Sequence, residues 1–196
     1  MKAVVKQVEF PAGRRILVIS DIHGNLPWFQ ALLAKAGFSR EDILVLVGDL
    51  VEKGRDSLAT LRYIMELSAT HTVYALCGNC DNLAVDFIYG NGELGRDFYR
   101  FYLSVWGERA LILQMAAEAG MEVRGPGDLP GLRMLLLERF RSELEFLRSL
   151  PTILESEHLV FVHGGVPSYA HMEELDAWQC MKNDDFLGQG RVFPKY

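Results

Sequence analysis

Four short apolar runs, each closed by a turn that combines glycine with Asp, Asn or His, constrain the fold of this chain more than any other feature. Ile16-Leu17-Val18-Ile19 leads into Ser20-Asp21-Ile22-His23-Gly24-Asn25, and Ile43-Leu44-Val45-Leu46-Val47 into Gly48-Asp49. Thr72-Val73-Tyr74-Ala75-Leu76-Cys77 leads into Gly78-Asn79-Cys80-Asp81, and His158-Leu159-Val160-Phe161-Val162 into His163-Gly164-Gly165. Short apolar runs bounded by such turns read as buried strands. Between the first three lie helical patterns. Pro27 to Ala36 carries an apolar face of Leu26, Phe29, Leu32, Leu33 and Ala36, with Asn25 placed as N-cap and Gly37 as stop. Asp56 to Ser68 sets Leu58, Leu61, Ile64 and Met65 at helical spacing. The order β-α-β-α-β predicts an α/β fold with largely parallel strands.

In such sheets, sites assemble at the carboxyl ends of the strands. The four turns therefore predict a cleft that gathers Asp21, His23, Asp49, Asn79 and His163. Carboxylate, imidazole and amide donors without an obligatory thiolate suit Mn²⁺, Fe or Zn²⁺. Asp21 and His23, two residues apart, can aim at one ion from a single turn, and a carboxylate such as Asp49 can bridge two ions. Two divalent ions about 3.5–4 Å apart can ionise a water and clamp phosphoryl oxygens.

The remaining chain is read more coarsely. From about residue 82 to 150 the pattern is helical, broken around Gly90–Gly95 and Gly120–Gly131 and ended by Pro151. This block is expected to be an insertion on the α/β core, giving a single domain over residues 1–196. A net charge of −6 argues against a partner such as a nucleic-acid duplex. The longest apolar runs, Ile43–Val47 and Leu159–Val162, fall short of the roughly 20 residues that span a bilayer. The N-terminus lacks a signal-peptide pattern, and three cysteines make a poor disulfide framework. A cytoplasmic protein with reduced thiols is the expectation; the oligomeric state is left open. In Cys77-x-x-Cys80, Cys77 completes an apolar strand and is expected to be buried, which disfavours redox chemistry.

Asp21-Ile22-His23, Gly48-Asp49 and Gly78-Asn79-x-Asp81, in that order, resemble the first three motifs of the calcineurin-like metallophosphoesterase superfamily. Asp21-Ile22-His23-Gly24, Gly48-Asp49-Leu50-Val51-Glu52-Lys53-Gly54 and His163-Gly164-Gly165 are most similar to its phosphoprotein-phosphatase and diadenosine-tetraphosphatase branch. The resemblance implies an α/β/β/α sandwich with a helical insertion. It also implies a site for two divalent ions, Asp21, His23 and Asp49 at one and Asp49, Asn79 and His163 at the other. Hydrolysis of a phosphomonoester, phosphodiester or nucleotide polyphosphate by a metal-activated hydroxide would follow, with a phosphorylated small molecule, nucleotide or phosphoprotein as substrate. The candidate catalytic set is Asp49, Asn79, Cys80, Asp81 and Lys53.

The chain departs from the family pattern in two places. Cys80 stands where the family usually has a His that helps protonate the leaving group, and losing a general acid typically costs about 10²–10⁴-fold. Leaving groups already stable as anions, nucleotides and pyrophosphates among them, would suffer least. A subset of the superfamily, which includes phosphodiesterases, shares Gly-Asn-Cys-Asp. The sequence also stops at Phe193-Pro194-Lys195-Tyr196, where the family continues into a Gly-His motif that adds an imidazole to the second ion; His171 does not match it. A fragment of a longer protein is expected, with the second ion held more weakly. Lys53 takes the place of a phosphate-gripping Arg and can attract phosphate only as a point charge. The aromatic stretch Phe98–Tyr102 with Trp106 is expected to pack within the helical block; a cap that stacks a nucleobase is its sharper reading. A phosphoesterase-shaped scaffold that binds a protein partner without turnover is the alternative to an enzyme.

Overall fold

Every residue of Ile43–Val47 is buried, which is possible only where a strand is covered on both faces. In the computed structural model, which describes residues 2–90, 102–166 and 174–183, this strand is β3, at the centre of one of two three-stranded sheets. Its neighbours are β2 (Ile16–Ile19) and β4 (Thr72–Leu76), both parallel to it, with Ile16 opposite Ile43 and Ile43 opposite Thr72. The helices α1 (Leu26–Lys35) and α2 (Ser57–Thr70) make the parallel crossovers. The second sheet consists of β1 (Val5–Gln7) parallel to β5 (Ile153–Glu155), and β6 (Val160–Val162) antiparallel to β5.

Side-chain alternation assigns the layers. Leu44 and Leu46 of β3 point into a core with Leu61 and Ile64 of α2. Ile43, Val45 and Val47 point the other way, into a core shared with Leu154 of β5 and Phe161 of β6. Ile153 of β5 turns to the outer side of its sheet, where it packs with Leu175 and Cys180. Cys180 belongs to the short helix Ala177–Met181. The order is helix, sheet, sheet, helix: the α/β/β/α sandwich.

Between β4 and β5 the described residues are helical apart from short turns. They form α3 (Asp81–Tyr89), α4 (Leu111–Glu118), α5 (Leu129–Arg139) and α6 (Arg141–Ser149), with a helical turn at Ser104–Trp106. Leu111, Leu132, Leu136 and Leu144 join the same core as α1 and α2, so this block packs on the side of the first sheet that those helices cover. Among the described residues no helix is long and apolar enough to cross a membrane.

Two local expectations are corrected. Asn25 holds the N-cap position of α1, but its side chain makes no capping bond; its backbone carbonyl accepts from Phe29 N–H at 3.0 Å. The apolar stripe of α1 is also narrower than expected, since Phe29 and Leu33 are buried whereas Leu32 is 47% exposed. Gly37 does end the helix, in the left-handed region at φ 60°.

Candidate metal centre

The turns after β2 and β3 hold every described non-glycine residue with positive φ: Asp21, His23, Asp49, Glu52 and Lys53. Such backbone costs of order 1–3 kcal/mol per residue and collects where function requires it. Backbone bonds lock the two turns together. Asp21 N–H donates to Gly48 O at 3.1 Å, His23 N–H to Asp49 O at 2.9 Å, and Gly24 N–H to Leu50 O at 3.0 Å. Gly48 and Gly78 let these turns meet, because a Cβ on Gly48 would lie 2.7 Å from Gly78 Cα, and one on Gly78 would overlap Asp49.

Asp49 lies at the centre, with its side chain 4% exposed. One carboxylate oxygen, Oδ2, is 3.5 Å from His23 Nε2. The other, Oδ1, is 3.4 Å from His163 Nε2 and accepts the Cys80 backbone N–H at 2.9 Å. Both imidazoles direct their other nitrogen at a backbone carbonyl, His163 Nδ1 to Val47 at 2.8 Å and His23 Nδ1 to Val51 at 3.5 Å. A carbonyl accepts only from N–H, so the tautomer protonated on Nδ1 satisfies both contacts and would leave each Nε2 free to ligate a metal ion. This is the arrangement that orients metal-ligating histidines. Asp21, with its side chain 57% exposed, places Oδ1 3.6 Å from His23 Nε2. Ser20 Oγ donates to its Oδ2 at 2.6 Å.

Two groups of donors have a cation-sized spacing, their ligand atoms lying within 4.8 Å of one another. One is Asp21, Asp49 and His163; the other is His23, Asp49 and Cys80. Both use Asp49, as a bridging carboxylate would. Asn79 stands beside them, with Nδ2 3.5 Å from Cys80 Sγ. The chemistry of the donors fits a cation in a second way, because one already stands there. Lys53 Nζ lies 3.2 Å from His23 Nε2 and 3.8 Å from Asp49 Oδ2.

Asp81 is placed differently from the other candidates. It is fully buried, and its oxygens accept three backbone N–H groups: Leu50 at 2.9 Å, Val51 at 3.1 Å and Gly78 at 2.8 Å. It fastens the Asp49 turn to the Asn79 turn instead of facing the cluster. Burial raises its pKa to about 7 even though those N–H groups pull it down. Burial, with the charge of Asp49, also pushes the Cys80 thiol up, and burial does the same to Cys77.

Sequence reasoning passed over Glu52. It is completely buried, accepts from Leu111 N–H at 2.9 Å and from the Tyr102 hydroxyl, and so ties the Asp49 turn to the first residue of α4. Burial raises its pKa to about 8. A carboxylate directly after the apolar pair Leu50-Val51 was the available signal. Tyr102 meets Trp106 edge-on at 5.0 Å, and Lys53 Nζ lies 5.9 Å from the Trp106 ring. Phe98–Phe101, His171 and Phe193–Tyr196 lie outside the described residues.

Residues 14–191 match the family model described as calcineurin-like phosphoesterase. The chain belongs to that family. Among curated members, a symmetrical bis(5'-nucleosyl)-tetraphosphatase of Hamiltonella defensa subsp. Acyrthosiphon pisum is 27% identical over 183 residues, covering 91% of this chain and 54% of that protein. Serine/threonine-protein phosphatase 1 of Salmonella typhimurium is 33% identical over 84 residues, 42% of this chain and 37% of its own length. A solved cold-active protein tyrosine phosphatase superposes with a TM-score of 0.55 at 18% identity, covering 88% of this chain and 46% of that one. That likeness is one of fold. The chain thus spans about half the length of the curated phosphoesterase that it matches most broadly here.

Proposed function

We propose that this calcineurin-like phosphoesterase holds two divalent ions across Asp49 and hydrolyses a phosphate ester or anhydride, with a nucleotide polyphosphate as the favoured substrate. The observation that carries the reading is the Asp49 carboxylate with a histidine Nε2 opposite each oxygen, at 3.5 and 3.4 Å. Each imidazole is held for ligation by a carbonyl behind it. Asp21, His23 and Asp49 would serve one ion, and Asp49, Asn79 and His163 the other. Mn²⁺, Fe and Zn²⁺ all suit such donors. When bound, the ions supply Lewis acidity and ionise water near neutral pH.

The protein's own groups do the rest. Asp49, nearly buried and fixed by the Cys80 N–H, sets the spacing of the two positions. Lys53, with its side chain 43% exposed, can swing from His23 to a phosphoryl oxygen and balance charge there. Asn79 offers an amide donor to the same oxygens. Cys80 cannot protonate a leaving group as an imidazolium would, so good leaving groups are favoured. An anhydride that releases a nucleotide meets that condition better than a serine ester. The names of the tetraphosphatase relatives point the same way, while a phosphoprotein substrate has the support of the serine/threonine phosphatase relative.

The test compares wild type with Asp49→Asn on diadenosine tetraphosphate, bis-p-nitrophenyl phosphate and p-nitrophenyl phosphate in Mn²⁺. Wild type should cleave the dinucleotide fastest, and the variant should lose at least about 10²-fold on every substrate. Equal turnover by the two proteins contradicts the proposal.

A further inference from the structure

We propose that Cys80 is a sulfur ligand which, with His23 and Asp49, makes one of the two positions selective for a borderline-soft cation such as Zn²⁺, Fe²⁺ or Co²⁺. The inference deepens the metal-dependent reading and rests on it. One donor atom each from His23, Asp49 and Cys80 lies within 4.8 Å of the other two. Around a tetrahedral ion with Zn–S about 2.3 Å and Zn–N about 2.0–2.1 Å, donors stand roughly 3.3–3.6 Å apart. Only a small closing movement separates the two arrangements. Cys80 is 2% exposed, and its sulfur lies among the donors of the cluster. Its backbone N–H donates to Asp49 Oδ1 at 2.9 Å, which fixes the side chain relative to the bridging carboxylate.

Burial and the charge of Asp49 hold Cys80 as the thiol in the metal-free protein, so a dication bound beside it has to displace the proton. Cys80 is the N-cap residue of the nine-residue helix α3. Asn79 Nδ2 lies 3.5 Å from Sγ as a donor. Lys53 Nζ, 3.2 Å from His23 Nε2, shows that this corner already attracts a cation. Ligation replaces the S–H bond by an S–metal bond, and the proton leaves to bulk buffer.

The two positions then differ in chemistry. The other position, served by Asp49, Asn79 and His163, would offer a carboxylate, an amide and an imidazole, a set without sulfur that suits Mn²⁺. His23, Asp49 and Cys80 add a soft thiolate, which favours Zn²⁺, Fe²⁺ and Co²⁺ over that harder ion. A mixed-metal centre is the consequence.

The experiment titrates the metal-free chain with Co²⁺ and follows electronic absorption. Wild type should develop the intense near-ultraviolet sulfur-to-cobalt charge-transfer band, and Cys80→Ser should lose it while still binding Co²⁺ by equilibrium dialysis. X-ray absorption at the zinc edge of wild type supplies a reading that does not depend on a folded variant, and a sulfur scatterer at about 2.3 Å is expected. Bound cobalt without the charge-transfer band, a band that persists in Cys80→Ser, or a zinc shell of nitrogen and oxygen alone would each overturn the sulfur ligand while leaving the phosphoesterase reading intact. Failure to bind any cobalt would overturn both.

Discussion

Glu52→Gln should flatten the pH dependence of stability, because the buried carboxyl group is favoured in its neutral form. Glu52 is completely buried, and burial raises its pKa from the ordinary 4.5 to about 8, against the smaller opposing effects of Tyr102 and Leu111. Folding therefore takes up a proton anywhere between these two values. The contribution of the protonated side chain is complete below pH 4.5 and is lost as pH rises toward 8. The interval of about 3.5 pH units at 1.36 kcal/mol each sets an upper bound of about 5 kcal/mol. Water entry and local relaxation around the charged form return part of this, leaving an expected effect of a few kcal/mol. Glutamine copies the neutral acid: its oxygen accepts the Leu111 N–H, and its NH₂ donates to the Tyr102 oxygen. Urea unfolding of both proteins with a chelator present, at pH 5, 6.5 and 8, gives the comparison. Near-equal stability is expected at pH 5, with the variant ahead by a few kcal/mol at pH 8. A variant that loses stability equally at all three values would refute the reasoning, because Glu52 would then act as a charged anchor.

Gly78→Ala should destabilise the fold by about 1–3 kcal/mol and abolish high-affinity Mn²⁺ binding, since its Cβ would overlap Asp49; calorimetry of unfolding and of Mn²⁺ binding reads both. Asp81→Asn keeps the oxygen that accepts from Leu50 and Val51 but turns an NH₂ toward the Gly78 N–H. A loss of about 1–3 kcal/mol by urea denaturation is expected. Lys53→Met should tighten Mn²⁺ binding by roughly 1 kcal/mol while lowering turnover, because the ammonium near His23 and Asp49 no longer has to be displaced. Unchanged affinity would mean that Lys53 does not compete for that position.

The strands that carry the site were legible because each apolar run ends in residues that a plain turn does not need; only Ile43–Val47 is buried throughout, whereas Ile16–Ile19, expected to be buried, lies at a sheet edge with Val18 51% exposed. The helices α1 and α2 were legible to within two residues at each end. The second sheet was not derivable in the same way. Val5–Gln7 is three residues long with two of them exposed, and Ile153–Glu155 follows directly on the loop after α6. Neither has enough length for a periodicity, so the sandwich came from the resemblance alone. Spacing could place Asp21, His23, Asp49, Asn79 and His163 in one cleft but could not partition them. Which oxygen of Asp49 faces which imidazole depends on positive-φ turns whose geometry is set by tertiary bonds between loops. Asp81 and Cys80 show the limit best. They adjoin in sequence, yet one braces the loops from behind with three backbone bonds and the other turns its sulfur inward to His23 and Asp49.

The most direct test of the shared-carboxylate centre is anomalous diffraction from crystals grown in excess Mn²⁺. Two peaks are predicted, one between Asp49 and His23 and one between Asp49 and His163, both within coordination distance of the Asp49 carboxylate. A map with no peak beside Asp49, or with His23 and His163 turned away from it, would contradict the account.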